Sequence, residues 1–326
     1  MTNLSRRQVS AGLVGIAGGA ALGGRMAAAQ SYATADLHFI CAFAAGSGAD
    51  VIARWYAEKM RPMIGRNIIV ENKVGALGNL ATEYVARSKP DGHTVFVNVV
   101  TGLASSMSLF KNPPVDVVNA LQVVSTVNKQ GTMLVVRADA PWMTLADLTA
   151  HLRAKKEKAS YGISTPSGRV MAALYNQKEN LPAVEVSYRT ISDAVNDLSS
   201  GNLDFAIYDS FFASSQSREK RIRILAVSTP ERLGSYPDVP TMTESGVPMG
   251  MVAWFGLIVP KATPRPIVDQ LSTMANTVTQ LPETKTFFNG FGADPRASTP
   301  DEGQAFLREQ IDEWKEWVRI AKIDPQ

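Results

Sequence analysis

The stretch CAFAAGSGADVIARWYAEKM, residues 41–60, reads as the end of an apolar strand, a turn of small residues, and a helix from about Asp50 to Met63. Between Ala44 and Gly48 almost no side chain stands between the backbone and whatever lies opposite. Such a turn can hold a phosphate, a reacting oxyanion or the carboxylate of a carried molecule. A P-loop would require Lys-Ser/Thr after the last glycine, where Gly48 is followed by Ala49-Asp50. A dinucleotide fingerprint would require a third glycine where Val51 stands, and Asp50 would repel a pyrophosphate. A nucleophile elbow around Ser47 would require glycines at Ala45 and Ala49.

Working outward, the same strand–turn–helix unit recurs. Strands are expected at 37–43, 67–71 and 93–99, with helices at 50–63 and 80–89 between them. A second series holds strands at 132–137, 160–163, 184–188, 203–208 and 222–228, with helices at 144–158, 169–179 and 191–200. Thr144-Leu-Ala-Asp147 has the form of a capping box. Residues 230–248 are rich in Pro, Gly and Ser and read as a connector. A strand at 254–259 and helices at 266–281 and 300–320 follow, the last burying Phe306, Trp314, Trp317 and Val318. The alternation predicts an α/β protein of two lobes crossed twice by the chain, 30–130 with 231–326 and 131–230, and a cleft between them.

Residues 1–29 are set apart by Arg6-Arg7, a weakly apolar run from Ala11 to Leu22, Arg25 and Ala27-Ala28-Ala29. The pattern predicts a Tat-type export signal and a periplasmic destination. Of 33 Lys and Arg, three lie in this segment, which holds no acid, so the remainder carries 30 of each sign. That balance gives no argument for nucleic acid or an anionic membrane surface. A single cysteine, Cys41, rules out an intrachain disulfide, and about 300 residues bury enough core without one.

Catalytic parts are scarce. His38, His93 and His151 are the only histidines, none has a ligand partner at helical spacing, and one cysteine cannot build a zinc site. Carboxylate capture remains, with main-chain N–H groups and a helix N-terminus as donors. The helix end contributes about 0.3–1 kcal/mol and each charge-assisted hydrogen bond about 1.5–3 kcal/mol. Three or four contacts, less the cost of ordering, reach micromolar affinity. On the turn alone, glycine used for close packing explains the residues equally well.

The series Phe43-Ala-Ala-Gly46-Ser-Gly48-Ala-Asp50-Val-Ile-Ala-Arg54 resembles the opening motif of Bug-type solute receptors, the extracytoplasmic subunits of tripartite tricarboxylate transporters. The resemblance continues through Val70-Glu71-Asn72-Lys73, Gly75-Ala-Leu-Gly78-Asn79, Pro90-Asp91-Gly92, Ser187-Tyr188-Arg189 and Asp197-Leu198-Ser-Ser-Gly201-Asn-Leu-Asp204. It extends to Pro237-Asp-Val-Pro240-Thr-Met-Thr-Glu244-Ser-Gly246 and Trp254-Phe-Gly256-Leu257.

The resemblance implies a type II periplasmic-binding-protein (Venus-flytrap) fold, each lobe a mainly parallel sheet flanked by helices. It implies a monomer without catalysis, cofactor or metal, which closes on a small organic carboxylate, a dicarboxylate foremost, and hands it to integral membrane subunits. The ligand residues carried over are Phe43, Ala44, Ala45, Gly46, Ser47, Gly48 and Asp50 from the first turn, and Ser164, Thr165, Ser167, Gly168 and Arg169 from the second. Thr101, Tyr188 and Asp209 complete them. The second turn departs from the family in carrying Arg169 and Met171, with no histidine. Arg169 at a helix start is expected to enter the cleft and fork onto a distal carboxylate, and Met171 to favour a carbon-rich ligand. A ligand-sensing partner of a membrane signalling protein, or an exported hydrolase, are the rival readings.

Overall fold

The computed structural model describes residues 32–188 and 191–325, so the expected export signal lies outside the described residues. Strand β1 (Leu37–Cys41) leads into helix α1 (Gly48–Ile64), then β2 (Ile68–Asn72), α2 (Asn79–Ala86) and β3 (Thr94–Val99). Next come α3 (Val100–Leu109), the single turn α4 (Val117–Ala120), β4 (Leu121–Thr126) and β5 (Asn128–Gln130). The second series is β6 (Thr132–Arg137), α5 (Leu145–Lys155), β7 (Ser160–Ile163), α6 (Pro166–Glu179), β8 (Val184–Ser187) and α7 (Ile191–Ser199). It ends with β9 (Phe205–Asp209), α8 (Ser210–Arg218) and β10 (Ile222–Val227). The chain finishes with β11 (Phe255–Pro260), α9 (Arg265–Thr279), α10 (Pro282–Asn289), β12 (Ala293–Pro295) and α11 (Pro300–Ile320).

Two five-stranded sheets result, β2-β1-β3-β11-β4 and β10-β6-β9-β7-β8. In the first, β1 runs parallel to β2 and β3, with Phe39 between Val70 and Val95. The returning β11 lies antiparallel to β3 and β4. In the second, β7 is parallel to β8 and β9, while β6 is antiparallel to β9 and β10. The reversed strands are those that follow a crossing between the sheets, because a chain entering from the other lobe arrives from the opposite end. Helices cover these sheets, and no helix among the described residues is long and apolar enough to cross a membrane.

Local signals set the helix limits. Ser47 caps α1 by accepting from the Asp50 N–H, and Gly65 ends it at φ 69° with its N–H on the Arg61 carbonyl. Between them Ile52, Ala53, Tyr56, Ala57, Met60 and Ile64 form one buried stripe. The capping box at Thr144 and Asp147 is present, and Thr299 with Glu302 makes another for α11. On α11, Trp314 and Val318 are buried as expected, but Phe306 and Trp317 are half-buried. Phe306 instead stacks on Trp254 at 5.2 Å, with the Arg296 guanidinium over both rings.

The crossings are pinned side by side. Ser228 Oγ accepts from Thr132 N–H (3.0 Å) and donates to the Met251 carbonyl (2.7 Å). Asn128 Oδ1 accepts from the Phe255 N–H (2.8 Å). One apolar cluster runs through both lobes, from Ile40 and Phe96 to Leu134, Phe205, Trp254 and Trp314.

All three histidines are structural. His38 pairs with Glu71, His93 Nε2 accepts from the Thr34 and Ala35 N–H groups, and His151 bonds Asp204 at 2.9 Å. Asp204 is 4 % exposed and also accepts from Lys155 Nζ (2.7 and 2.9 Å) and the Ser160 N–H (2.9 Å). Burial pushes its pKa up, but Lys155, His151 and the Ser160 N–H outweigh that and hold it below the ordinary carboxylate value. A depressed carboxylate stabilises fully above its unfolded pKa, about 3.9, and loses that contribution as pH falls through the folded value. Asp204→Asn is therefore expected to cost about 2 kcal/mol at pH 7 and progressively less below about pH 4, in urea unfolding across that range. A deficit that does not shrink in acid would contradict the assignment.

Candidate functional site

The β1–α1 turn is built around a buried carboxylate. Asp50, 2 % exposed, accepts from Gly46 N–H (2.9 Å), Arg54 Nε (2.9 Å) and Asn72 Nδ2 (2.9 Å). Asn72 Nδ2 also donates to the Phe43 carbonyl at 2.9 Å, so β2 grips the turn at both ends. Burial opposes ionisation of Asp50, yet Arg54, Gly46 and Asn72 together lower its pKa. Asp50, expected among the ligand residues, thus faces the turn itself. The Ser47 hydroxyl caps α1, the Ser47 N–H donates to the Ala44 carbonyl, and the Gly46 N–H is held by Asp50. Gly46 sits at φ 82°, a conformation glycine adopts without strain.

What the turn offers outward is narrower than the sequence implied. The N–H groups of Ala44, Ala45, Gly48 and Ala49 have no partner among the described residues. Phe43, Ala44, Ala45 and Gly46 are exposed. Gly48 is where the other lobe arrives, since a Cβ there would lie 2.9 Å from Phe211 Cβ on α8. Phe211 in turn stacks on Phe291 at 5.0 Å and meets Phe288 edge-on at 6.3 Å.

The second turn differs from expectation in its start. Helix α6 begins at Pro166, not near Arg169, because Thr165 Oγ1 accepts from the Gly168 N–H (3.1 Å) and proline sits at the first helical position. Arg169 is therefore one turn into the helix, and its side chain leans back over β8. There Arg169 Nε donates to Glu185 Oε1 (3.1 Å) and Nη2 to Ser187 Oγ (3.1 Å). The expected fork onto a ligand carboxylate is instead a fork onto Glu185 and Ser187. Ser164 Oγ is buried without a partner, and Gly168 packs against Ile207 of β9. Met171 is fully buried in the core, away from any cleft, so it says nothing about the ligand.

Three other expected residues are engaged internally. Thr101 belongs to the first turn of α3, where its hydroxyl donates to the Val252 carbonyl (3.3 Å) and accepts from the Trp254 N–H (3.2 Å), fastening the returning chain. Asp209 caps α8 by accepting from the Phe212 N–H (3.0 Å), and burial pushes its pKa up. The Tyr188 hydroxyl donates to Asp197 at 2.6 Å, while the ring side lines a cavity.

That cavity, of about 370 Å³, lies between the two lobes. It gathers Ser164, Thr165, Arg169 and Tyr188 from the expected site, with Leu109 and Phe110 from the end of α3 and Ile323 beyond α11. The first turn does not line it. The two turns are linked through β9 and α8, since Gly168 abuts Ile207 and Gly48 abuts Phe211. Sequence reading overlooked Leu109, Phe110 and Phe211, because α3 and α8 carried no apolar periodicity to announce them; the Asp209 cap was the available signal for α8. Cys41, buried at the end of β1, has its thiol pushed up to about 11, by burial above all, and is inert at neutral pH. Among the described residues no three His, Cys, Asp or Glu side chains are grouped to hold a metal ion.

Comparison with known proteins places this geometry. Residues 52–323 match the family described as tripartite tricarboxylate transporter family receptor. A Pseudomonas sp. (strain P51) protein, described as the UPF0065 protein in the tcbD-tcbE intergenic region, is 28% identical over 98% of this chain and 95% of its own. The periplasmic binding protein BugD is 26% identical, with a TM-score of 0.81 over 90% of this chain and 100% of that one. The R. palustris protein Rpa4515 with adipate shares the fold at a TM-score of 0.83, with 24% identity over 90% of this chain and 99% of that one.

Close approach at Gly48 gives a direct check on the seam. Gly48→Ala is expected to lower unfolding free energy by about 1–3 kcal/mol through overpacking against Phe211, read by denaturant titration. An unchanged midpoint would mean that α1 and α8 do not meet this way in solution.

Proposed function

The chain belongs to the tripartite tricarboxylate transporter receptor family, and on that premise we propose that it captures a small organic carboxylate between its lobes in the periplasm and delivers it to the membrane subunits of such a transporter. The family is one of solute-binding receptors, not enzymes. The observation that carries the acid reading is the set of main-chain N–H groups at Ala44, Ala45, Gly48 and Ala49 that have no partner among the described residues, at and just before the N-terminus of a 17-residue helix. Donors of this kind suit an anion and impose no chemistry on it. A carboxylate accepting three of them gains about 1.5–3 kcal/mol from each, enough for micromolar affinity after the cost of ordering.

Phe43, Ala44, Ala45 and Gly48 form the proposed first face, shaped from behind by Gly46, Ser47 and Asp50. Ser164, Thr165, Ser167 and Gly168 form the opposing face, with Tyr188 beside it and Asp209 and Thr101 holding their elements in place. The lobes are taken as 30–130 with 231–326 and 131–230, and closure about the pinned crossings is the proposed motion. Adipate in the R. palustris neighbour supports an acid as ligand. A second ligand charge has less support, because Arg169 is already paired.

A thermal-shift screen of organic acids, sugars and amines tests this reading. An acid at about a hundred times its dissociation constant should add about 2.7 kcal/mol of stability. Stabilisation by a sugar or amine with none from any acid would overturn it. Ala44→Pro, which removes one outward N–H, should weaken the acid by about tenfold, equivalent to about 1.4 kcal/mol.

A further inference from the structure

The lobes face each other on two sides, and the sides are packed differently. Strand alternation sends Leu134, Phe205 and Ile207 to one face of the second sheet, where α6 packs through Val170 and Leu174. Met133, Val135 and Tyr208 go to the other face, where α8 packs through Ala213. In the first lobe α2, α3 and α11 share the layer of Ile40 and Phe96. Helix α1 instead joins α9 and α10, with the Tyr56 hydroxyl on Thr279 Oγ1 at 2.7 Å and its ring beside Phe288 at 6.5 Å.

The α8 side is shut. Two glycines admit the helix: a Cβ at Gly48 would lie 2.9 Å from Phe211 Cβ, and one at Gly292 would lie 2.4 Å from Ser214 Oγ. Phe211 is buried among Phe255, Phe288 and Phe291, and Arg218 covers Phe291 and donates to the Gly290 carbonyl. The α6 side widens away from the crossings. Beside Thr132 and Met251, Ser167 of α6 shares a crevice of about 10 Å³ with Glu313 and Trp317 of α11. At the ends of β7 and β8, the strands farthest from the crossing strands β6 and β10, the gap is the cavity of about 370 Å³. Leu109, Phe110 and Ile323 line it from the first lobe, and Pro166, Arg169 and Tyr188 from the second. Ile323 is set on that wall by a helix-ending turn, its N–H on the Val318 carbonyl (3.1 Å) and the Lys322 N–H on the Arg319 carbonyl (3.2 Å), with Lys322 at φ 55°.

From this we propose that the lobes part on the α6 side alone: α8, wedged against α1 and α10, is the fulcrum, and the gap between the end of α3 with the C-terminal turn and α6 with β8 is the mouth. The inference specifies the closure proposed above. Parting the lobes at α8 would bring Phe211 and Phe288 into water and break a close-packed contact at two glycines. On the α6 side the facing walls are already apart, so opening further forfeits few contacts. A hinge of this kind keeps its packing on one side and swings on the other. Closure then draws Phe110 and Ile323 toward Pro166 and Tyr188, while the first turn stays seated on Phe211.

Pairs of spin labels on introduced cysteines test this in the full chain with no acid added. Cys41 is buried, with its thiol pushed up to about 11, so it stays unlabelled. Lys111→Cys with Gln177→Cys spans the mouth, and Glu219→Cys with Lys285→Cys spans the fulcrum, all four at exposed positions. Double electron–electron resonance should give a distance distribution at least about twice as broad for the mouth pair as for the fulcrum pair. Equal breadths, or a broader fulcrum pair, would overturn the proposal. Either result is independent of carboxylate capture, which the thermal-shift screen tests by itself, so each reading can fail alone.

Discussion

The Asp50 carboxylate is the point on which fold and site both turn. It is buried in α1, yet it reaches the Gly46 N–H in the turn, Arg54 one helical turn on and Asn72 at the end of β2. A single buried charge thus ties three elements, and it remains ionised because three donors replace the water it lost. Its effect on the site is indirect. By drawing in the Gly46 N–H, it leaves the N–H groups of Ala44, Ala45, Gly48 and Ala49 as the ones without a partner among the described residues. The same negative charge sits close behind them, where Arg54 offsets it at 2.9 Å.

The two lobes meet through aromatic contact as well as through the pinned crossings. Phe211, from the first turn of α8, lies flat on Phe291 and is flanked by Phe288 and Phe255, with Arg218 over Phe291 and donating to the Gly290 carbonyl. This seam puts the N-termini of α1 and α8 face to face, where two like helix-dipole ends would repel without intervening negative charge. Asp50 supplies such charge at α1, while the Asp209 carboxyl, whose ionisation burial opposes, caps α8 by accepting from the Phe212 N–H. The carboxyl groups that sequence reading assigned to the ligand therefore have a more immediate task in holding the starts of these two helices.

Much of this was legible before the structure. The alternation of 37–43, 50–63, 67–71 and 93–99 gave the parallel half of the first sheet, and Thr144 with Asp147 gave a true helix start. The misses have identifiable causes. Thr165-Pro166 was a cap followed by a first-position proline, as clear a start signal as Thr144, but the expected helix began three residues later. The register of Arg169 was lost with it. Helix α3, VTGLASSMSL, mixes apolar residues with Thr, Gly and three Ser and buries both kinds, so no amphipathic period marks it. Helix α10 opens at Pro282, with two residues separating it from the end of α9 and proline at its first position, where no helix was expected from the sequence. Main-chain donors leave no side-chain signature, so the outward amides could be suspected from small residues but not counted.

Capture by main chain has a consequence for how ligand preference is encoded. If the anchoring carboxylate is held by N–H groups, no side chain in the first turn can be exchanged to change the ligand without disturbing Asp50 or the Phe211 seam. Discrimination then falls to residues around the rest of the molecule, at the second turn and beyond it. Starting α6 at Pro166 fixes the direction of its first turn through the proline ring, and helical geometry then swings Arg169 toward β8, not toward the first turn. Whether that arginine acts as a cation toward solute depends on what β8 presents, and Glu185 presents an equal and opposite charge at 2.9 Å. Arg169 on α6 and Glu185 on β8 thus form an ion pair across the unit that joins the parallel strands β7 and β8, and the arginine that the sequence offered to a ligand is spent inside its own lobe.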